Sequence, residues 1–192
     1  VERKTLWVGI AVMALVGVTA MLVHLTGGQR YNATVYDPPL PAGAIELTDQ
    51  RGRPYRLSDQ RGGIVLVFFG YTHCPDVCPL TMARLRQVFE MLGSQSRDVQ
   101  VLFVTTDPAR DTPEQLDSFL KNFNPEFIGL TGTREELQKV WGDYGVTVLD
   151  EGLTHSSRVY VIDREGALRM TFIYETEPAD MASDLRLMLR DQ

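Results

Sequence analysis

A chain of 192 residues with a formal net charge of −6 and 44% apolar residues has the composition of an ordinary folded protein. Setting aside Glu2, Arg3, Lys4 and Arg30 leaves residues 31–192 more acidic, at −8, which argues against nucleic acid as a partner. Two cysteines are too few for a disulfide-stapled scaffold, so one apolar core has to hold a domain of about 160 residues.

The run Leu6 to Leu25 carries no charge over twenty residues. A bilayer core needs about 20, so this run predicts a single transmembrane helix with the lipid bilayer as its partner. Arg3 and Lys4 precede it and only Arg30 follows closely, which places residues 1–5 in the cytoplasm. The run exceeds the roughly 7–15-residue apolar region of a cleaved signal peptide, and on either reading the rest of the chain reaches a compartment where thiols can oxidise. Residues 26–43 turn to Gly, Pro and polar residues and read as a linker, leaving 44–192 as the folded domain.

Ile45 to Thr48 and Tyr55 to Leu57 flank Asp49-Gln50-Arg51-Gly52-Arg53-Pro54 and predict an N-terminal hairpin. Ile64 to Phe69 is continuous and apolar, as a strand buried on both faces should be. Met82, Leu85, Val88, Phe89 and Leu92 then recur at helical spacing. Val99 to Thr105 predicts a second buried strand, and Asp111 or Thr112 a cap for a helix opening on Pro113, with Leu116, Phe119, Leu120 and Phe123 as its stripe. Phe127 to Leu130 is a short strand candidate. Thr133 to Glu136 resembles a capping box before Leu137, Val140, Trp141 and Tyr144. Arg158 to Asp163 and Leu168 to Tyr174 alternate around Arg164-Glu165-Gly166, and Met181, Leu185, Met188 and Leu189 stripe a last helix. This order predicts an α/β fold: a thioredoxin-like mixed sheet flanked by helices, parallel in its first half and antiparallel at one edge.

Chemistry concentrates where the first buried strand gives way to its helix. Cys74 and Cys78, the only two cysteines, lie one helical turn apart at a helix N-terminus, where unpaired N–H groups favour thiolates. Such a pair can close a disulfide reversibly or present two thiolates to a soft metal, and both uses stay open. Coordination needs a further ligand. His24 lies in the apolar run, and His73 adjoins Cys74 but points away from it. His155, in the loop before the strand Arg158 to Asp163, is the remaining candidate, since in a thioredoxin-like fold that loop packs beside the cysteine turn. Two thiolates and an imidazole would suit Cu(I), with room to expand for Cu(II), whereas a closed zinc site lacks its fourth ligand. Asp76, Asp107, Arg110 and Asp111 could tune the site, although turn and cap roles account better for Asp107 and Asp111. GxGxxG, Walker A, HExxH and GxSxG motifs are absent.

Three segments in order, Phe69-Gly70-Tyr71-Thr72-His73-Cys74-Pro75-Asp76-Val77-Cys78-Pro79, Thr106-Asp107-Pro108-Ala109-Arg110-Asp111-Thr112-Pro113 and His155-Ser156-Ser157-Arg158-Val159-Tyr160-Val161-Ile162-Asp163, resemble the Sco/SenC family. The resemblance extends over roughly residues 43 to 190. It implies a membrane-anchored, thioredoxin-like copper chaperone rather than an enzyme. Cys74, Cys78 and His155 would bind copper, receive it from an upstream donor protein and deliver it to the binuclear copper site of cytochrome c oxidase subunit II. The alternative is a thiol-disulfide oxidoreductase that keeps that subunit's cysteines reduced; a peroxiredoxin-like peroxidase is a third reading. With no Arg- and Ser-rich presequence in view, the expected location is a bacterial plasma membrane, with the domain facing the periplasm.

Overall fold

The computed structural model describes residues 31–148 and 157–190, together with Met13 and Gly17. The expected span, residues 6–25, therefore lies outside the described residues apart from those two, as do 1–5 and His155. Among the described residues no helix is long and apolar enough to cross a membrane. Contacts divide the chain into Val1–Arg30 and Tyr31–Gln192, and the second unit carries the fold.

Its centre is β4 (Ile64–Gly70), in which every residue is buried. Because side chains alternate across a strand, Ile64, Leu66 and Phe68 enter one core while Val65, Val67 and Phe69 enter another. That two-sided demand is met by helices on both faces. The first core is closed by α1 (Val77–Leu92), α2 (Pro113–Leu120) and α4 (Pro178–Arg190). The second is closed by α3 (Arg134–Asp143) through Leu137, Val140 and Trp141. The periodic positions are buried as their spacing requires, except that Phe119 is only partly buried; Phe123 falls beyond the end of α2, and Tyr144, though buried, beyond the end of α3.

The remaining strands are β1 (Thr34–Pro41), β2 (Glu46–Asp49), β3 (Pro54–Arg56), β5 (Val99–Thr105), β6 (Ile128–Thr131), β7 (Val159–Ile162) and β8 (Ala167–Phe172). They form one eight-stranded sheet in the order β1-β8-β7-β4-β5-β6-β2-β3. β4, β5 and β6 run parallel, with Gly70 opposite Thr105. β7 joins β4 antiparallel and turns into β8 through Gly166, whose φ of +83° suits glycine.

The sheet departs from the sequence expectation in two ways. It is antiparallel at both ends rather than one, because the β2–β3 hairpin docks on β6 through Thr48↔Thr131 and Asp49↔Leu130. In addition, the stretch read as linker contains β1, paired antiparallel with β8. Its register slips between Val35 and Leu40, across Pro38 and Pro39, and an edge strand tolerates prolines because half its N–H groups need no partner. Asp184 on α4 secures the approach to this strand. Fully buried, it accepts the Asn32 and Ala33 backbone N–H groups at 2.8 and 2.9 Å and the Asn32 side-chain amide at 3.0 Å.

Candidate metal centre

β4 ends at Gly70, where a Cβ would stand 2.8 Å from the Cys78 sulfur and 2.8 Å from the Phe68 ring, closer than atoms tolerate. Only glycine lets the strand end pass so near the sulfur. The chain then turns through Tyr71 to Asp76, closed by Cys74 N–H donating to the Tyr71 carbonyl at 3.2 Å. α1 begins at Val77, so Cys78 lies in its first turn and Cys74 just ahead of it. Pro79 is accommodated because a first-turn N–H has no partner within the helix in any case.

Helix N-termini carry donors in need of acceptors. The side chain of Asp76, the N-cap residue, makes no capping bond here. Sulfur takes that role: the Cys78 N–H donates to Cys74 Sγ at 3.4 Å, and the Asp76 N–H also points to it. Both cysteines are free, Cys74 half-buried and Cys78 buried. Burial pushes the Cys74 thiol up, but the Asp76 and Cys78 N–H groups, the Cys78 thiol and the Tyr71 hydroxyl together outweigh it and leave it below its ordinary value. Cys78 behaves oppositely. Burial pushes it well up, the Tyr71 N–H pulls only partly against this, and Cys74 and the Asp111 carboxylate add to the rise. The Tyr71 hydroxyl is itself pushed up by burial and by both cysteines.

Behind the turn stands Asp111. It accepts the Thr72 N–H at 3.1 and 3.2 Å and the hydroxyls of Thr72 and Thr105 at 2.6 Å each. His73, exposed, places Nδ1 3.1 Å from Thr72 Oγ1 and 3.8 Å from Asp111 Oδ1. Thr112, not Asp111, caps α2 by accepting the Gln115 N–H at 3.2 Å. Asp107 is buried and pairs with Arg110, and its carbonyl accepts the Asp111 N–H at 2.9 Å.

The structure thus brings Cys74 and Cys78 together with Tyr71 and Asp111 acting on them, while His73 faces Thr72 and Asp111. His155 lies outside the described residues, as does His24. Among the described residues no three His, Cys, Asp or Glu side chains form a group that could hold a metal, and the two cysteines supply the soft donors of the turn. Asp111 and Gly70 are the residues that sequence reasoning undervalued. A glycine closing a buried strand marks close approach and could have flagged Gly70. A cavity of about 530 Å³ opens at the opposite end of β4 and β5, beside Ile64 and Val99, away from the cysteines.

The SCO1/SenC family profile matches residues 37–190. The SCO2-like protein of Rickettsia conorii is 31% identical over 204 residues, covering 97% of this chain and 98% of that protein. Among solved structures, Bradyrhizobium japonicum ScoI with copper bound aligns with a TM-score of 0.68 at 34% identity, over 77% of this chain and 99% of that one. BsSco, described as a member of the Sco family of cytochrome c oxidase assembly proteins with a disulfide switch, shares the fold with a TM-score of 0.68 at 22% identity, over 83% of this chain and 99% of that one. With its cysteine turn on a thioredoxin-like sheet and a profile match spanning most of its length, the chain belongs to the SCO1/SenC family.

Proposed function

We propose that this chain is a membrane-anchored copper chaperone of cytochrome c oxidase assembly. Copper is its cargo, held by the Cys74 and Cys78 sulfurs and the His155 imidazole and passed by ligand exchange to the binuclear copper site of subunit II. The observation that carries this reading is the pair of free, adjacent thiols at the mouth of α1, one of them supplied with N–H and hydroxyl donors that favour its thiolate. Two thiolates match a soft ion such as Cu(I), and an added imidazole suits Cu(II) as well. A copper-bound relative of the same fold and family supports the choice of metal. The uncharged run at residues 6–25 would anchor the domain on the periplasmic side of a bacterial plasma membrane, where an upstream donor protein loads it.

The test is copper loading of the reduced chain, with metal analysis and absorption spectroscopy, alongside Cys74→Ser, Cys78→Ser and His155→Ala. The parent should bind one copper and show thiolate-to-Cu(II) charge-transfer bands that each substitution abolishes or shifts. A His155→Ala chain holding both copper ions as tightly as the parent would sink the three-ligand assignment.

The unequal thiols favour one further reading, a thiol-disulfide reductase. Cys74 thiolate would attack a substrate disulfide, expelling one substrate thiolate and forming a mixed disulfide; Cys78 would then attack Cys74 Sγ, releasing the second. Two electrons pass to the substrate, and an external dithiol has to restore the pair. Turnover of an oxidised subunit II fragment that survives His155→Ala would select this reading.

A further inference from the structure

Asp111 has no solvent exposure, and a buried carboxylate is costly unless its oxygens are fully engaged. Besides His73 Nδ1, 3.8 Å from Oδ1, it has four hydrogen-bonding contacts, three of them directed at one place. Three of its contacts come from Thr72, two residues before Cys74: the backbone N–H to both oxygens at 3.1 and 3.2 Å and the hydroxyl at 2.6 Å. The fourth, from the Thr105 hydroxyl at 2.6 Å, fixes the carboxylate to the end of β5. Thr105 is rigidly held in turn. Its hydroxyl oxygen accepts the Asp107 N–H at 2.9 Å, and its carbonyl accepts the Trp141 indole N–H at 3.1 Å. Capping of α2 falls to Thr112, so the helix does not need this carboxylate. The residue next to Thr72 is Tyr71, whose N–H serves the Cys78 sulfur and whose hydroxyl serves Cys74.

We propose that Asp111 is the positioning residue of the cysteine turn: held by Thr105, it holds Thr72 and thereby the Tyr71 donors facing both sulfurs, and its negative charge, bonded to Thr72 two residues ahead of Cys74, favours the more highly charged copper ion. The second half rests on the copper-binding reading above; the first does not. Two thiolates and a carboxylate in a partly desolvated site attract each additional positive charge on the metal more strongly than water would allow. Asparagine at 111 keeps the shape and an acceptor for Thr72 but removes the charge, whereas alanine removes both.

The experiment uses the full reduced chain and the variants Asp111→Asn, Asp111→Ala and Thr72→Val. Asp184→Asn is the matched control, a buried carboxylate whose partners are Asn32 and Ala33. Amide exchange of the 71–78 segment is followed without metal. Cu(I) affinity is measured by chelator competition, and Cu(II) affinity by charge-transfer titration. Asp111→Asn should weaken Cu(II) about tenfold or more while changing Cu(I) by less than about threefold. Asp111→Ala, and Thr72→Val to a smaller degree, should speed exchange of the segment. Asp184→Asn should lower thermal stability and leave both affinities and this exchange unchanged. Unaltered exchange in Asp111→Ala and Thr72→Val overturns the positioning role whether or not copper binds. Equal loss of both ions in Asp111→Asn, or the same losses in Asp184→Asn, overturns the charge role. A parent that binds neither ion overturns the copper reading and the charge role with it, leaving the exchange result to decide positioning.

Discussion

Cys74 and Cys78 are chemically identical side chains that the fold makes unequal. Cys74 stands half-buried with two N–H groups and a hydroxyl aimed at its sulfur, while Cys78 is buried against Gly70 and faces the Asp111 charge. Thiolates, not thiols, react with alkylating agents. In the reduced, metal-free protein iodoacetamide should therefore modify Cys74 first, with a rate–pH midpoint below that of a free cysteine, since a lowered thiol value puts more thiolate at neutral pH. Cys78, shifted the other way, should resist until the fold opens; peptide mapping after timed quenching would show the order, and faster Cys78 labelling would contradict it. Gly70 makes a second prediction. Alanine there has to displace the Cys78 sulfur or the Phe68 ring, and overpacking of this kind costs about 1–3 kcal/mol. A thermal midpoint lowered by about 2–10 °C, together with altered copper charge-transfer bands, is the expected outcome. The cysteine pair was legible in the sequence because spacing and position alone carry its meaning. Asp111 was not: its partner Thr72 is 39 residues away, and in isolation an aspartate before Thr-Pro reads as a cap or turn.

At the level of elements, the helices were readable because their signal is local. Met82, Leu85, Val88 and Phe89 repeat at helical spacing, and the capping box at Thr133 is present as its residues imply, with Glu136 N–H donating to Thr133 Oγ1 at 3.2 Å and Thr133 N–H to Glu136 Oε2 at 2.8 Å. β1 was hidden for the opposite reason. Its Asp37-Pro38-Pro39 composition reads as linker, and what makes it a strand is the free edge of β8 and the buried Asp184 that gathers Asn32 and Ala33. Asp184→Ala should leave those N–H groups without their acceptor. Asn32 is exposed, so water recovers part of the loss, and the net cost should be about 2–3 kcal/mol. A lower denaturant midpoint with faster amide exchange across Thr34–Pro41 is the measurement that checks it; full protection of β1 in the variant would refute the role given to Asp184.

For the whole molecule, the split of β4 between two cores dictated helices on both faces, and this much follows from an uninterrupted apolar run. Strand order did not follow. That β2 docks beside β6 depends on pairing Thr48 with Thr131, a choice made by contacts far apart in sequence. The same sheet order has a consequence for durability. Local opening of a folded chain begins at poorly supported margins and reaches central strands last. The cysteine turn is rooted in β4, flanked by β7 and β5, and its brace Asp111 is tied to the end of β5, whereas β1 and β3 form the margins. Transient fraying of either margin leaves the turn assembled. We expect the lifetime of its geometry to follow the central strands and not the margins, so that conditions which fray β1 or β3 leave the cysteine turn unchanged.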